Sequence, residues 1–143
     1  MFSSSESVLV NRDRKHVYSV AETYPQFARF FRFGEILKQN DHEMIVKIGS
    51  TICGLHTSWV GHGKKIKFES IEFVQTEGLL KGLVAVWKFQ DHDKSTEVTI
   101  SSSFNLKVPL AGEPLEWLLG TFKVRKTVRM ILEALKKEAE SPI

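Results

Sequence analysis

From Phe33 to Lys107 the apolar positions of this chain mostly recur every second residue, and from Gly112 to Leu135 they recur every third or fourth. A period of two belongs to a strand with one buried face, and a spacing of three to four to an amphipathic helix. The late segment therefore reads as one long helix whose stripe is Trp117, Thr121, Val124, Val128, Ile131 and Leu135. Its ends agree with helix electrostatics and proline geometry: Glu113 and Pro114 stand at the start, Lys136 and Lys137 near the end, and Pro142 halts any continuation. One long helix behind a series of strands is what a curved sheet needs to cover its concave face.

Strands are predicted at Gly34–Gln39, His42–Ile48, Thr51–Val60, Lys65–Phe73, Leu79–Gln90 and Ser95–Lys107, with breaks at Asn40-Asp41, Gly49, Gly61-His62-Gly63 and Asp91-His92-Asp93. Alternation is cleanest in the last strand, where Thr96, Val98, Ile100, Ser102, Phe104 and Leu106 share the inward face. In the strand before it the Trp87 side, with Leu79, Leu83, Ala85 and Phe89, is assigned inward because it carries the aromatics. Ile66 and Phe68 oppose Lys65, Lys67 and Glu69, which turns the first pair inward; in Thr51–Val60 neither parity wins. Ahead of these, Ser5–Val10 forms a first strand, and Asn11 or Asp13 caps a short helix through Val17, Tyr18, Val20 and Ala21. Tyr24-Pro25 breaks that helix, and Pro25 opens a second one with Phe27, Phe30 and Phe31 on one face.

A length of 143 residues without linker, repeat or low-complexity segment predicts a single domain spanning residues 1–143. The 42% hydrophobic and 26% charged content is that of a soluble globular protein. The lone Cys53 excludes an intramolecular disulfide and a multi-cysteine metal site. The opening MFSSSESVLV lacks the basic head and apolar run of a signal peptide, and no stretch approaches the roughly 20 apolar residues of a membrane span. A cytoplasmic protein is the expectation. A net charge of +3 permits contact with nucleic acid or an anionic surface without requiring it.

No phosphate-cradling glycine loop or nucleophile elbow is present. His56 and His62 share parity but lack a third ligand, so neither a metal nor another cofactor is expected. His16, His42 and His92 fall at loops or element ends, in water, and Cys53 reads as a small buried hydrophobe rather than a nucleophile. Glu69 and Glu72 have opposite parity and point apart, so no acid–base pair forms there. The run Lys123, Arg125, Lys126 and Arg129 reads as the solvated side of the long helix. Joined by Arg12, Arg14, Lys15, Lys64, Lys65 and Lys67, it has a second reading as a surface for a ribosome or an anionic membrane. The run carries no interleaved aromatics to stack on bases, so sequence-specific nucleic-acid binding is not expected.

The order of one strand, two short helices, about six strands and a long closing helix resembles the helix-grip fold of the birch-pollen allergens, START lipid-transfer domains and polyketide cyclases. The residues that carry the resemblance are Val17-Tyr18-Ser19-Val20-Ala21, Tyr24-Pro25-Gln26-Phe27, Thr57-Ser58-Trp59-Val60, Gly78-Leu79-Leu80-Lys81-Gly82-Leu83 running into Val86-Trp87-Lys88-Phe89, and Thr96-Glu97-Val98 through Phe104. More narrowly they are similar to the coenzyme Q-binding and ribosome-association-toxin branch. The fold implied is α+β, a curved antiparallel sheet of about seven strands with two short helices and a carboxy-terminal helix.

The function implied is binding or carrying an isoprenoid quinone, lipid or polyketide-like compound between sheet and helix, in a pocket of the usual few hundred cubic ångströms. A polyketide aromatase/cyclase and a ribosome-associated regulator are the alternatives, and a monomer or weak homodimer is expected. The candidate lining is Phe68, Ser70, Trp87, Val98, Ile100, Ser102, Phe104, Trp117, Thr121, Val124, Val128 and Ile131. The same stripe would equally serve a filled core. Ser70, Ser102 and Thr121 set hydroxyls on an otherwise apolar face, either to orient a ligand or to bond nearby backbone.

Overall fold

A computed structural model describes residues 2–52, 54–78, 80–105 and 123–141. Seven strands, β1 (Phe2–Val10), β2 (Phe33–Gln39), β3 (Glu43–Ile52), β4 (Leu55–Ile66), β5 (Ser70–Glu77), β6 (Val84–His92) and β7 (Ser95–Phe104), form one curved sheet. Every pairing is antiparallel, in the order β1-β7-β6-β5-β4-β3-β2. Helices α1 (Arg14–Ala21) and α2 (Tyr24–Phe27) carry the chain from one sheet edge to the other, and α3 (Arg125–Glu140) covers the concave face. This is the helix-grip arrangement.

Local chemistry explains the short elements. Asp13, rather than Asn11, caps α1, its carboxylate accepting from the His16 amide at 3.1 Å. Pro25 sits in the first turn of α2, where its missing N–H costs nothing. That helix stops at Phe27, and the chain turns through Ala28 at φ −83° and ψ 78°. Phe27, Phe30 and Phe31 therefore do not share a helical face: Phe31 is buried while Phe30 is exposed.

The predicted sheet needs three corrections. Gly49 lies within β3, and Gly61 and Gly63 lie within β4, so none of them breaks a strand. Their role is room rather than turning. A Cβ on Gly63 would stand 2.8 Å from Phe73 Cε1 and 3.0 Å from Met44 Cγ, and the Phe33 ring lies directly over Gly49. The real turn falls at residues 67–69, where Phe68 takes φ 65°. Lys65 then pairs with Ile71, and Ile66 with Ser70, which reverses the expected parity: Lys65 and Ile71 face inward while Ile66 is exposed. Lys65 tolerates that burial because its ammonium pairs with Glu22 and donates to Asn40 O at 2.8 Å.

The predicted faces of β6 and β7 are as observed. Trp87 and Phe89 are buried, and Thr96, Val98, Ile100, Ser102 and Phe104 alternate with half-buried neighbours. Val124, Val128, Ile131 and Leu135 are buried under α3, and so are Leu132 and Ala139. The helix continues beyond Leu135 to Glu140, and residues 112–122 of the predicted helix, with Trp117 and Thr121, lie outside the described residues, as does Cys53.

The carboxy-terminal end of α3 is clamped. Arg12 and His16 both reach Ala139 O at 3.0 Å, and Glu140 accepts from the Asn11 amide at 2.8 Å and from Lys136 at 2.7 Å. His16 is thus a tether between α1 and α3 rather than a solvated side chain. These cationic and N–H groups occupy carbonyl and dipole sites that a helix end leaves open. Together, Lys136 and Asn11 hold the Glu140 carboxyl below its usual range.

The packing yields two stability outcomes. Gly61→Ala meets its nearest neighbour, Val46 Cγ2, at an ordinary 3.5 Å and should change the urea midpoint little. Gly63→Ala must displace the Phe73 ring and should cost about 1–3 kcal/mol. Equal midpoints for the two variants would contradict this reading of the strand.

Tyr18, buried edge-on to Phe68 and Phe89 at 5.5 and 5.2 Å, has its phenol pushed up to about 12 by burial, then by Glu22 and Asp41. Because the folded value lies above the unfolded one, this contribution is complete below about pH 10 and is lost as pH rises toward 12. The hydroxyl has no hydrogen-bond partner among the described residues. Tyr18→Phe should be neutral or mildly stabilising at pH 7 and should flatten the alkaline loss, as read by denaturation at pH 7, 9 and 11.

Candidate ligand cavity

A cavity of about 140 Å³ lies between the concave face of the sheet and the amino-terminal half of α3. It is smaller than expected because five aromatic rings line it: Tyr24 from α2, Phe31 from the segment after it, Trp59 from β4, Phe73 from β5 and Trp87 from β6. The rings contact one another, with Tyr24 5.2 Å from Trp87 and 5.5 Å from Phe73, and Phe31 edge-on to Trp59 at 5.8 Å. Tilted and edge-to-face contacts of this kind hold rings in fixed orientations. Gly61, opposite Gln75 in register, also lines the cavity, and a Cβ there would stand 3.7 Å from the Phe73 ring.

Six of the residues read from sequence are brought together in the wall: Trp87, Ile100, Ser102, Val124, Val128 and Ile131. Four others lie elsewhere. Val98 is fully buried in the filled part of the core, opposite Phe89 in register, and Phe104 packs on Phe2 at 5.4 Å. Phe68 occupies the β4–β5 turn against Tyr18, with Lys15 and Lys67 5.6 and 5.4 Å from its ring centre. Ser70, opposite Ile66 and Lys88, falls on the outward parity of β5 because the turn at 67–69 resets the alternation.

The sequence reading missed Tyr24, Phe31, Trp59, Phe73, Gln75 and Lys123. Phe73 and Gln75 share the 71/73/75 parity of β5, a signal legible only once the turn is placed at 67–69. Trp59 lies in the strand whose alternation was ambiguous. Leu80 and Leu83 reach the wall from the β5–β6 connection, where Gly78 and Gly82 adopt φ 107° and 93°, a left-handed backbone that glycine takes freely.

The polar atoms are few and differ in kind. Ser102 Oγ is buried and has no hydrogen-bond partner among the described residues, so it is free to bond a guest. Gln75 is buried in the same wall, its backbone already satisfied by Leu83 O and the Gly82 amide. Burial pushes the Tyr24 phenol well above the usual tyrosine range, so it stays a neutral donor throughout the physiological range. Ser50, Thr57, Ser58 and Lys123 form a polar end; Ser58 is exposed, and Lys123 donates to Thr51 O at 3.0 Å across the gap between α3 and β3.

Among the described residues no cluster of three histidine, cysteine, aspartate or glutamate side chains is placed to hold a metal. His56 bonds Thr51 Oγ1 at 3.1 Å, and His62 is exposed. Nor is any helix among the described residues long and apolar enough to cross a membrane. The basic side of α3 is partly spent: Arg125 and Arg129 lie 3.4 and 3.5 Å from Glu6 Oε1, leaving Lys126 exposed.

A helix-gripped sheet enclosing an aromatic cavity defines a class, and residues 10–136 match the family model described as polyketide cyclase / dehydrase and lipid transport. The chain belongs to that family. Solved structures give the same fold at low identity. A Thermus thermophilus protein is 15% identical, covers 96% of this chain and 97% of its own, and superposes with a TM-score of 0.84. The Zhui aromatase/cyclase of a Streptomyces species is 17% identical, with 97% and 93% covered and a TM-score of 0.80. A START superfamily protein of Mycobacterium smegmatis is 16% identical, with 96% and 97% covered and a TM-score of 0.73. Comparison with curated protein sequences finds no match.

Ser102→Ala removes a buried hydroxyl that has no partner among the described residues, and should leave the stability of the empty protein unchanged or raise it by up to about 1 kcal/mol. A loss above about 1 kcal/mol in urea denaturation would show that the hydroxyl is already bonded.

Proposed function

We propose that this chain, acting as one domain, binds or carries a hydrophobic small molecule in the cavity without transforming it. The observation that carries the reading is an aromatic-lined hollow holding a buried hydroxyl with no partner among the described residues, Ser102, with Gln75 in the same wall. Apolar walls supply affinity by excluding water, and a few placed polar groups fix orientation. An isoprenoid quinone, lipid or polyketide-like compound meets the chemical demand, with a ring-sized part of it inside the hollow of about 140 Å³ and the remainder leaving through the open side, and the sequence resemblance favours the quinone-binding branch. Ile100, Val124, Val128 and Ile131 would contact the apolar part of the guest, Ser102 a carbonyl or hydroxyl on it.

A second reading, an aromatase/cyclase, draws on the family description and on Tyr24, a neutral phenol able to donate to a developing enolate without metal help. The described lining residues include no histidine, arginine or carboxylate to serve as its base, which favours the binding reading. A ribosome-associated role draws on the basic face of α3, where Glu6 already engages two of the four cations.

Protein purified from its own cell extract should carry a lipophilic compound, seen as a mass increment in native mass spectrometry and recovered by solvent extraction. Val128→Trp or Ile131→Trp should fill the cavity and abolish the increment while the fold, followed by circular dichroism, survives. Undiminished retention in both variants would move the site out of the cavity. Conversion of an added poly-β-ketone chain, slowed at least tenfold by Tyr24→Phe with binding retained, would establish the cyclase reading instead.

A further inference from the structure

The residues just after α2, Arg29-Phe30-Phe31-Arg32-Phe33, set cations and large rings alternately at the polar end of the cavity. Phe30 and Phe33 are 36% and 39% exposed, far more than the buried rings beside them, and Arg29 and Arg32 are exposed with them. Phe31, between the exposed rings, lines the cavity and lies 4.7 Å from Phe30. Arg32 stacks 5.5 Å from the Phe33 ring and donates to Ser50 O and Thr57 O at 3.3 and 3.2 Å, the backbone of two residues in the cavity wall. The exposed segment and the polar end are therefore one surface. Lys123 adds a third cation to it, and Lys126, farther along α3, is also exposed.

The charge here is one-sided. No carboxylate occurs between Glu22 and Glu35, and Glu35 stands opposite Lys47 in the β2–β3 register. Among the described residues the Arg29 side chain has no acidic partner within ion-pair distance. We propose that this rim docks on a bilayer bearing anionic headgroups, so that a lipophilic guest passes between membrane and cavity; the proposal rests on the carrier reading above. Aromatic rings settle at headgroup depth, and basic side chains near the surface are attracted by anionic lipid. Two exposed rings make a patch far below the roughly 800 Å² per partner of a stable protein interface, whereas a membrane asks only for a few insertable rings flanked by cations. Such contact is weak and reversible, as repeated loading and release require.

The test is co-sedimentation with vesicles of phosphatidylcholine alone and of phosphatidylcholine with one third phosphatidylglycerol. Binding should appear only with the anionic vesicles and fall as salt rises. Arg29→Ala should weaken it about fivefold and Phe30→Ser about tenfold, with both variants folded by circular dichroism and the Arg29→Ala urea midpoint unchanged because that side chain is exposed. Lys94→Ala, on the β6–β7 turn, should have no effect. Failure to bind anionic vesicles, or binding that both rim variants leave intact, overturns the proposal; self-association lost in Phe30→Ser would assign the patch to a second copy of the chain. Native mass spectrometry separates the two ideas: a bound guest without vesicle binding removes the docking surface and keeps the carrier, and vesicle binding with a cavity that takes no guest does the reverse.

Discussion

The structure depends on how α3 is held against the concave sheet. At its carboxy-terminal end Leu135 and Ala139 are fully buried, and Arg12, His16 and the Asn11 amide bind the last turn. Lys136 adds a bond to Leu9 O at 2.7 Å, so strand, connecting turn and helix converge on one point. Near the other end Glu6, on the inward parity of β1, faces Arg125 and Arg129. The helix is thus fastened at one end by hydrogen bonds and along one side by charge, while the half carrying Val124 and Val128 spans the cavity. A hollow persists there because the helix cannot sink into the sheet without breaking those ties.

The same logic sets the shape of the hollow. The Phe73 ring of β5 needs space opposite it, and Gly63 supplies it in β4. Tight packing around Phe73 holds the ring that forms one wall. Where the sheet needs no hollow, its inward face is filled: Val98, Phe89 and Tyr18 close the region beneath α1. Lys65 is buried at that filled end, with its charge answered by Glu22 and the Asn40 carbonyl. Separating those partners would strand a buried ammonium, which explains why a lysine can face inward in a sheet of apolar residues.

The two ends of the cavity differ in chemistry. Inside, Ser102, Gln75 and the Tyr24 phenol are uncharged, and in a medium of low polarity a hydroxyl with no partner among the described residues matters more than it would in water. At the rim, Lys123 and Arg32 spend hydrogen bonds on strand carbonyls. They therefore add rigidity to the rim as well as charge. The interior is thus neutral and the edge cationic.

The amino-acid sequence by itself determined the elements whose periodicity is strong. The alternation of Thr96 through Phe104, the aromatic side of β6 and the stripe of Val124, Val128, Ile131 and Leu135 each name a buried face without reference to any partner. Together they imply the sheet, the helix and the side on which a cavity can lie. What only the tertiary structure decided were positions where a neighbour in space overrides the local signal. Gly61 and Gly63 look like a turn until β4 is seen to run through both, with Phe73 needing the space at Gly63, and Phe68 looks inward until the turn at 67–69 reverses the parity of Lys65, Ile66 and Ser70. Tyr24, Phe31, Trp59 and Lys123 enter the site from four separate segments. Such convergence has no local signature, because periodicity reports which face of one element is buried and cannot report what stands across from it.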